Sequence, residues 1–377
     1  MFFQLNEEQK MLRSSARDFL QKTCTKDYVR AMETDPRGHS PDVWKQVADL
    51  GWLGLTLPEQ YGGSAASFMD LTVLFEETGR ALLPDPFFPT VVASLLVSDA
   101  ASEKQRRDLL PKVVKGDAVL TLALLEEQGS FDPDSLHLAA AQQGGDFVLT
   151  GKKFFVPEGH IADLLIVPAR AASGKGGKGL SLFLVPGKSP GLSVDALPTI
   201  SHEKLAVLSF SSVRVGKDNL IGPLHEAWPA LQRHLLIAAV AKCAEMVGGM
   251  QRVLEMATEY AKTRVQFGRP IGSFQAIQHH AANMAIDVET SREIVMDAAY
   301  KIASDLPFEM EASACKAWVS EAYRRVGYLG HQIHGGIGLI VEHDMQLYFR
   351  RAKAAELAYG DADYHRELAV GKLEAML

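Results

Sequence analysis

AVLTLALL at 118–125, FVLTG at 147–151, DLLIVPA at 163–169, LSLFLVP at 180–186 and LAVLSF at 205–210 decide the fold class. Each is a short apolar or β-branched run set off by Gly, Pro or Asp, the texture of strands separated by turns. A compact β domain is therefore expected from Ala118 to Val215. Outward from it in both directions the period becomes 3.6. On the amino-terminal side Leu5, Met11, Leu12, Phe19 and Leu20 mark a first amphipathic stretch, and Phe68, Leu71, Leu74 and Phe75 a later one. Asn6, with Glu8 and Gln9 behind it, offers an acceptor and early negative charge where a helix would start. On the carboxy-terminal side helical segments are expected around 227–265, 274–303, 309–334 and 343–357, with Ile277, Ala281, Met284 and Val288 as one packed stripe. Helices, then strands, then helices predict an α+β protein of segregated units: a helical domain over 1–115, a β domain over 116–222 and a helical domain over 223–377.

That order argues against a Rossmann sheet. Gly335-Gly336-Ile337-Gly338 closes a helical segment, whereas a dinucleotide fingerprint follows a strand and opens a helix. SGKGGKG at 173–179 lies between two strands and lacks the Lys-Ser/Thr ending of a phosphate loop, so it reads as a mobile hairpin loop. With 377 residues, 47% of them hydrophobic, the chain is long enough for two or three folding units and a cleft between them. A net charge of −7 without any Lys/Arg block argues against nucleic acid as a partner. Cys24, Cys243 and Cys315 lack CxxC spacing, so neither a metal site nor a disulfide framework is expected. The opening MFFQLNEEQKMLRSSARDFL has neither a leader nor a transit pattern. No apolar run reaches the roughly 18 residues a membrane span needs, and a cytoplasmic protein is expected.

Four segments together resemble the acyl-CoA dehydrogenase family: LGWLGLTLPEQYGG at 50–63, SVRVGKDNLIG at 212–222, YAKTRVQFGRPIGSFQAIQHHAANMA at 260–285 and HQIHGGIGLIVEHDMQLYFRRAK at 331–353. The resemblance runs over nearly the whole chain, in the family's order and spacing. It implies an α-helical amino-terminal domain, a middle β-barrel or sandwich domain and a carboxy-terminal four-helix bundle. It also implies a tetramer or dimer of dimers, FAD at the subunit interface, an acyl-CoA substrate and an electron-transfer flavoprotein as acceptor. Arg264 offers a planar fork of donors suited to pyrophosphate, and Phe267, three residues on, an apolar or stacking surface. Gln275 restarts the helix with an amide able to meet a ribose or phosphate oxygen. Gln332 lies one turn before Gly335 and Gly336, whose missing side chains permit close backbone approach. In the family both groups contact FAD bound mainly by the neighbouring subunit. Taken singly, they also read as a surface Arg and a Gly-Gly helix stop.

The family chemistry is removal of an α-proton by a carboxylate while hydride leaves the β-carbon for flavin N5. In RRAKAAELAYGDADYHRE, at 350–367, Tyr359 occupies the place where most members carry that catalytic Glu. At the second family location of the base, in the first helix of the final bundle, this chain has His234. Asp361 is a carboxylate in the same loop as Tyr359, and it also suits capping of the following helix. In the middle domain, LLEEQGSFDPD at 124–134 replaces the usual Thr-Glu-Pro and Gly-Ser-Asp segment. GKKFFVPEG at 151–159 places Phe155, still able to stack, at the family's Trp, and Pro157, without hydroxyl or N–H, at its Thr. Two readings follow. Either the chain is an FAD-dependent acyl-CoA dehydrogenase whose base is displaced to His234 or Asp361, or it is a partner subunit that completes the flavin site of a Glu-bearing homologue.

Overall fold

The computed structural model of the chain describes residues 4–84 and 86–374. Helices α1 (Glu7–Thr23), α2 (Lys26–Thr34), α3 (Pro41–Asp49), α4 (Phe68–Ala81), α5 (Phe87–Ala100) and α6 (Glu103–Val114) come first. Strands β1 (Leu120–Leu122), β2 (Ala139–Gln143), β3 (Asp146–Pro157), β4 (Leu164–Arg170), β5 (Leu180–Pro186), β6 (Leu192–Leu197), β7 (Leu205–Val215) and β8 (Leu220–Ile221) follow. The chain then forms α7 (Trp228–Thr263), a hairpin of β9 (Val265–Gln266) and β10 (Arg269–Pro270), and helices α8 (Gln275–Ala303), α9 (Glu309–His334), α10 (Met345–Leu357) and α11 (Ala362–Glu374). Helix α11 ends the description at Glu374, and residues 375–377 lie outside the described residues.

By its own packing the chain divides into two compact units. One takes the residues to Arg30, Ser67–Leu83 and those from Leu236; the other takes Ala31–Ala66 and Pro84–Leu235. In the second unit the strands form one eight-stranded sheet in the order β6-β7-β3-β2-β4-β5-β8, with β1 parallel to β4. Period-2 alternation buries Phe147, Leu149, Leu165, Val167, Phe183 and Val185 in one cluster, with the rings of Phe147 and Phe183 4.9 Å apart. The 173–179 loop between β4 and β5 is not the loose hairpin its glycines suggest. Arg170 donates to the carbonyls of Gly174 and Lys178, both at 2.9 Å, and to those of Pro133 and Leu136, at 2.8 and 2.9 Å. One guanidinium fork thus fixes two loops.

In the first unit the expected start of α1 is present: Asn6 accepts from the Gln9 amide at 2.8 Å and Gln9 answers with its side chain, a reciprocal cap. The stripe reading fails at Met11, which is 71% exposed, while Gln9 is buried and donates to Asp70 of α4 at 2.8 Å. Positions 9 and 11 lie about 200° apart on a helix, so the face of α1 that buries Gln9, Ala16 and Leu20 leaves Met11 in water. Likewise only Met284 and Val288 of the α8 stripe are fully buried, with Ile277 and Ala281 half-covered. Phe68, Leu71, Leu74 and Phe75 of α4 are all buried.

Helices α4 and α7 meet backbone to backbone. A Cβ on Gly79 would lie 1.9 Å from the Glu245 carbonyl, and one on Gly248 1.8 Å from the Glu76 carbonyl. Flanking this crossing, Arg80 grips Glu255 with both terminal nitrogens, and Arg17 of α1 grips Glu77 at 2.6 and 2.9 Å. Ala favours an isolated helix over Gly by about 1 kcal/mol, yet Gly248→Ala is predicted to lower stability by about 1–3 kcal/mol, because the two backbones must separate. A melting temperature equal to or above that of the parent would contradict the crossing.

Candidate active site

The first unit carries the segments read as cofactor-binding. At the end of α7 the Arg264 amide donates to Tyr260 O and its carbonyl accepts from the Ile271 amide, both at 2.8 Å, which closes the β9–β10 hairpin. Phe267 stands at the hairpin tip in the left-handed region, at φ 54°, and is 90% exposed. Phe274, edge-on to Phe267 at 6.0 Å, lies under the Arg269 guanidinium at 4.2 Å. No side chain caps the first turn of α8, which opens with exposed Gln275. At the end of α9, Gln332, Gly335 and Gly336 are exposed, with Gly335 at φ 62°, and nothing stands within 4 Å of where a Cβ would sit on either glycine. Tyr260 and His334 join these two ends within one chain, their rings stacked at 4.7 Å, and the His334 Nδ1 lies 2.7 Å from Gly330 O. Neither ring was singled out from the sequence, where both read as ordinary amphipathic-helix residues.

This donor set fits the diphosphate of a dinucleotide. Among the described residues the Arg264 side chain has no partner in its own chain, an uncapped helix amino terminus adds oriented N–H groups, and two glycines leave the approach open. Arg264, Gln275, Gln332 and the backbone at 335–336 would hold such a group, with Phe267 as an apolar surface beside it.

The loop that carries Tyr359 also belongs to the first unit. Tyr359 adopts φ 59° and Gly360 φ 97°, where a Cβ would approach Tyr364 to 2.4 Å. His365 Nε2–H donates to Tyr359 O at 2.8 Å; burial holds this imidazole down to about 4, so it is neutral at pH 7. Burial, and secondarily the Glu245 carboxylate of α7, push the Tyr359 phenol well above its ordinary range. It is a hydrogen-bond donor at neutral pH and a base only at a pH far above it. Asp361 accepts from the Tyr364 amide at 2.9 Å and so caps α11, the alternative use its position suggested. The residue that ties this loop down is Lys316 of α9, fully buried, whose ammonium donates to Glu356 O and Gly360 O.

In the second unit, His234 of α7 is 2% exposed, and neither ring nitrogen has a hydrogen-bond partner among the described residues. Burial alone lowers its pKa to about 3. The desolvation that would suit dry chemistry also removes the basicity a proton abstractor needs. Phe155 lies where the register of β3 on β7 shifts, at φ 54° and 46% exposed. It is set there by its neighbours: the Phe154 amide donates to Leu125 O at 2.8 Å, and buried Lys153 donates to Leu124 O at 3.0 Å and to Glu126 at 2.8 Å. Glu126 in turn accepts from the amides of His137 and Leu138, both at 2.9 Å, so the divergent 124–138 segment is fixed at both ends. Among the described residues no group of three or more His, Cys, Asp or Glu could hold a metal ion, and no helix is long and apolar enough to cross a membrane.

Three domain descriptions of one family match in sequence: "Acyl-CoA dehydrogenase, N-terminal domain" over 6–117, "middle domain" over 121–213 and "C-terminal domain" over 227–373. The chain is 30% identical to "Probable acyl-CoA dehydrogenase YngJ" of Bacillus subtilis, over 97% of this chain and 98% of that protein. It is similar to a variant of the "Tcur3481-Tcur3483 steroid ACAD", with 33% identity, 98% of each chain covered and a TM-score of 0.87. It is also similar to the "ChsE4-ChsE5 complex from Mycobacterium tuberculosis", with 28% identity, 100% of each chain covered and a TM-score of 0.90.

The His234 environment makes a signed prediction. Its folded pKa of about 3 lies below the unfolded value near 6.5, so the unfolded chain binds the extra proton between those values and this group's contribution to stability is lost as pH falls below 6.5. The melting temperature of His234→Leu relative to the parent should therefore rise as pH is lowered from 7 to 5. A difference independent of pH would mean that the imidazole is solvated.

Proposed function

The chain belongs to the acyl-CoA dehydrogenase family, and on that premise we propose that it serves α,β-dehydrogenation of an acyl-CoA thioester as one subunit of a hetero-oligomer, beside a homologous chain that supplies the base. Members of this family are FAD-dependent oxidoreductases acting on CH–CH groups, and the bound flavin supplies the hydride acceptor. The observation that carries the partner reading is the state of the three candidate bases. Tyr359 stays protonated, His234 is neutral with its basicity removed, and Asp361 is engaged as a helix cap. None is poised to take a carbon-bound proton near neutral pH.

The residues toward the cofactor fare differently. Arg264, Gln275 and Gln332 remain exposed and open, and around them Val265, Phe267, Ile337, Leu339, Ile340 and Val341 leave apolar side chains in water, with Val341 74% exposed. Large apolar side chains left exposed in these two segments favour cover by another subunit. The similar Tcur3481-Tcur3483 steroid ACAD and ChsE4-ChsE5 complex each pair two differently named proteins, which supports a hetero-oligomer over a homotetramer. An electron-transfer flavoprotein is the proposed electron acceptor.

The chain purified alone should fail to bleach flavin when acyl-CoA thioesters are added. Coexpression with a homologue bearing the Glu should give a yellow complex that does bleach, and Arg264→Ala in this chain should cut the flavin retained by that complex about tenfold, since one charge-assisted diphosphate contact contributes about 1.5–3 kcal/mol. Stoichiometric flavin in the lone chain, bleached by an acyl-CoA, would replace this reading with that of a self-sufficient dehydrogenase.

A further inference from the structure

Lys316 sits in the amino-terminal third of α9 with none of its surface exposed, among Cys243, Cys315 and the start of the 358–361 turn. An ammonium has three N–H donors and no acceptor. Here it has three acceptors: Ser320 Oγ at 3.1 Å on its own helix, Glu356 O at 2.8 Å in the last turn of α10, and Gly360 O at 2.7 Å beyond it. The two carbonyls bracket Tyr359. Glu356 O belongs to the orphan carbonyls of a helix end, and Gly360 O follows a residue pair held at positive φ. A non-glycine residue in the left-handed region costs of order 1–3 kcal/mol and persists only where its surroundings over-determine it.

We propose that Lys316 is the positioning residue for Tyr359: by joining Glu356 O to Gly360 O it sets the turn, and hence the direction in which the phenol is presented. The His365 bond to Tyr359 O is a second fastening on the same turn, and Asp361, which caps α11, a third. All three act on main-chain atoms, so the seat is built independently of the side chain it carries. Charged or titratable groups facing it are Glu356 from α10, His365 and Asp361 from the start of α11, Cys315 from α9, and Cys243, Lys242 and Glu245 from α7, the last two paired with each other. That the turn serves an acyl-CoA site rests on the reading above; that Lys316 sets it does not.

Hydrogen exchange on the full chain, together with the fluorine NMR of 3-fluorotyrosine placed at 359, tests the assignment. Lys316→Met keeps length and apolar bulk and removes every donor. The amides of Ala358, Tyr364 and His365, which hydrogen-bond within or beside this turn, should exchange at least tenfold faster, while those of α1 and α4 stay within twofold, and the fluorine resonance should shift or split. Lys316→Gln, with two donors on a shorter arm, should give an intermediate increase; it decides the matter should the Met variant not fold. Turn exchange within twofold of the parent, with an unmoved fluorine resonance in either variant, would overturn the assignment. Flavin reduction by the coexpressed complex is measured separately, so failure of the functional reading leaves this result standing.

Discussion

A lysine ammonium cut off from water must find oxygen, and among the described residues the fully buried Lys153 and Lys316, with the half-buried Lys26, meet that demand with main-chain carbonyls. Lys26 donates to Ala81 O at 2.7 Å in the last residue of α4 and stands over the Tyr348 ring at 4.9 Å. Lys153 donates to Leu124 O and Glu126, and Lys316 to Glu356 O and Gly360 O. Burial lowers each of the three to about 8, so all remain charged at neutral pH. An unpaired buried ammonium is far more costly than the hydrogen bonds it makes are stabilising. Each lysine therefore forbids the loop it serves from drifting. The loops concerned are the exit from α4, the divergent 124–138 segment and the turn of Tyr359.

Those three positions also mark where reading the sequence ran out. Lysine on a helix or strand reads as a solvated charge, and nothing in the period around Lys316 distinguishes it from exposed Lys353. The five apolar runs between Ala118 and Val215 were legible because alternation and turn residues declare strands locally, and the Asn6 cap was legible because it acts within one turn. Strand order was not, since it depends on pairings far apart in sequence, such as β1 against β4 and β3 against β7. Met11 was misread for the same reason: which face of α1 is covered depends on partners far along the chain, such as Asp70 of α4 against Gln9.

The site divides along the same line. Arg264, Phe267, Gln275, Gln332 and the two glycines could be picked out because their types and spacing carry the family pattern. The structure adds the Tyr260–His334 stack that couples their two segments. The departures, Tyr359 and His234, were visible as substitutions, but their chemistry depends on burial. The same desolvation holds a phenol protonated and an imidazole neutral, which leaves both unable to act on a thioester α-carbon near pH 7.

Whether this chain can take that proton is therefore the decisive question, and solvent deuterium answers it without requiring turnover. A CoA thioester blocked at the β-carbon, incubated in heavy water with the chain alone and excess FAD, should gain α-deuterium no faster than in buffer, and markedly faster once a Glu-bearing homologue completes the complex. Enzyme-catalysed α-exchange by the chain alone would contradict the account and place a working base among its own residues.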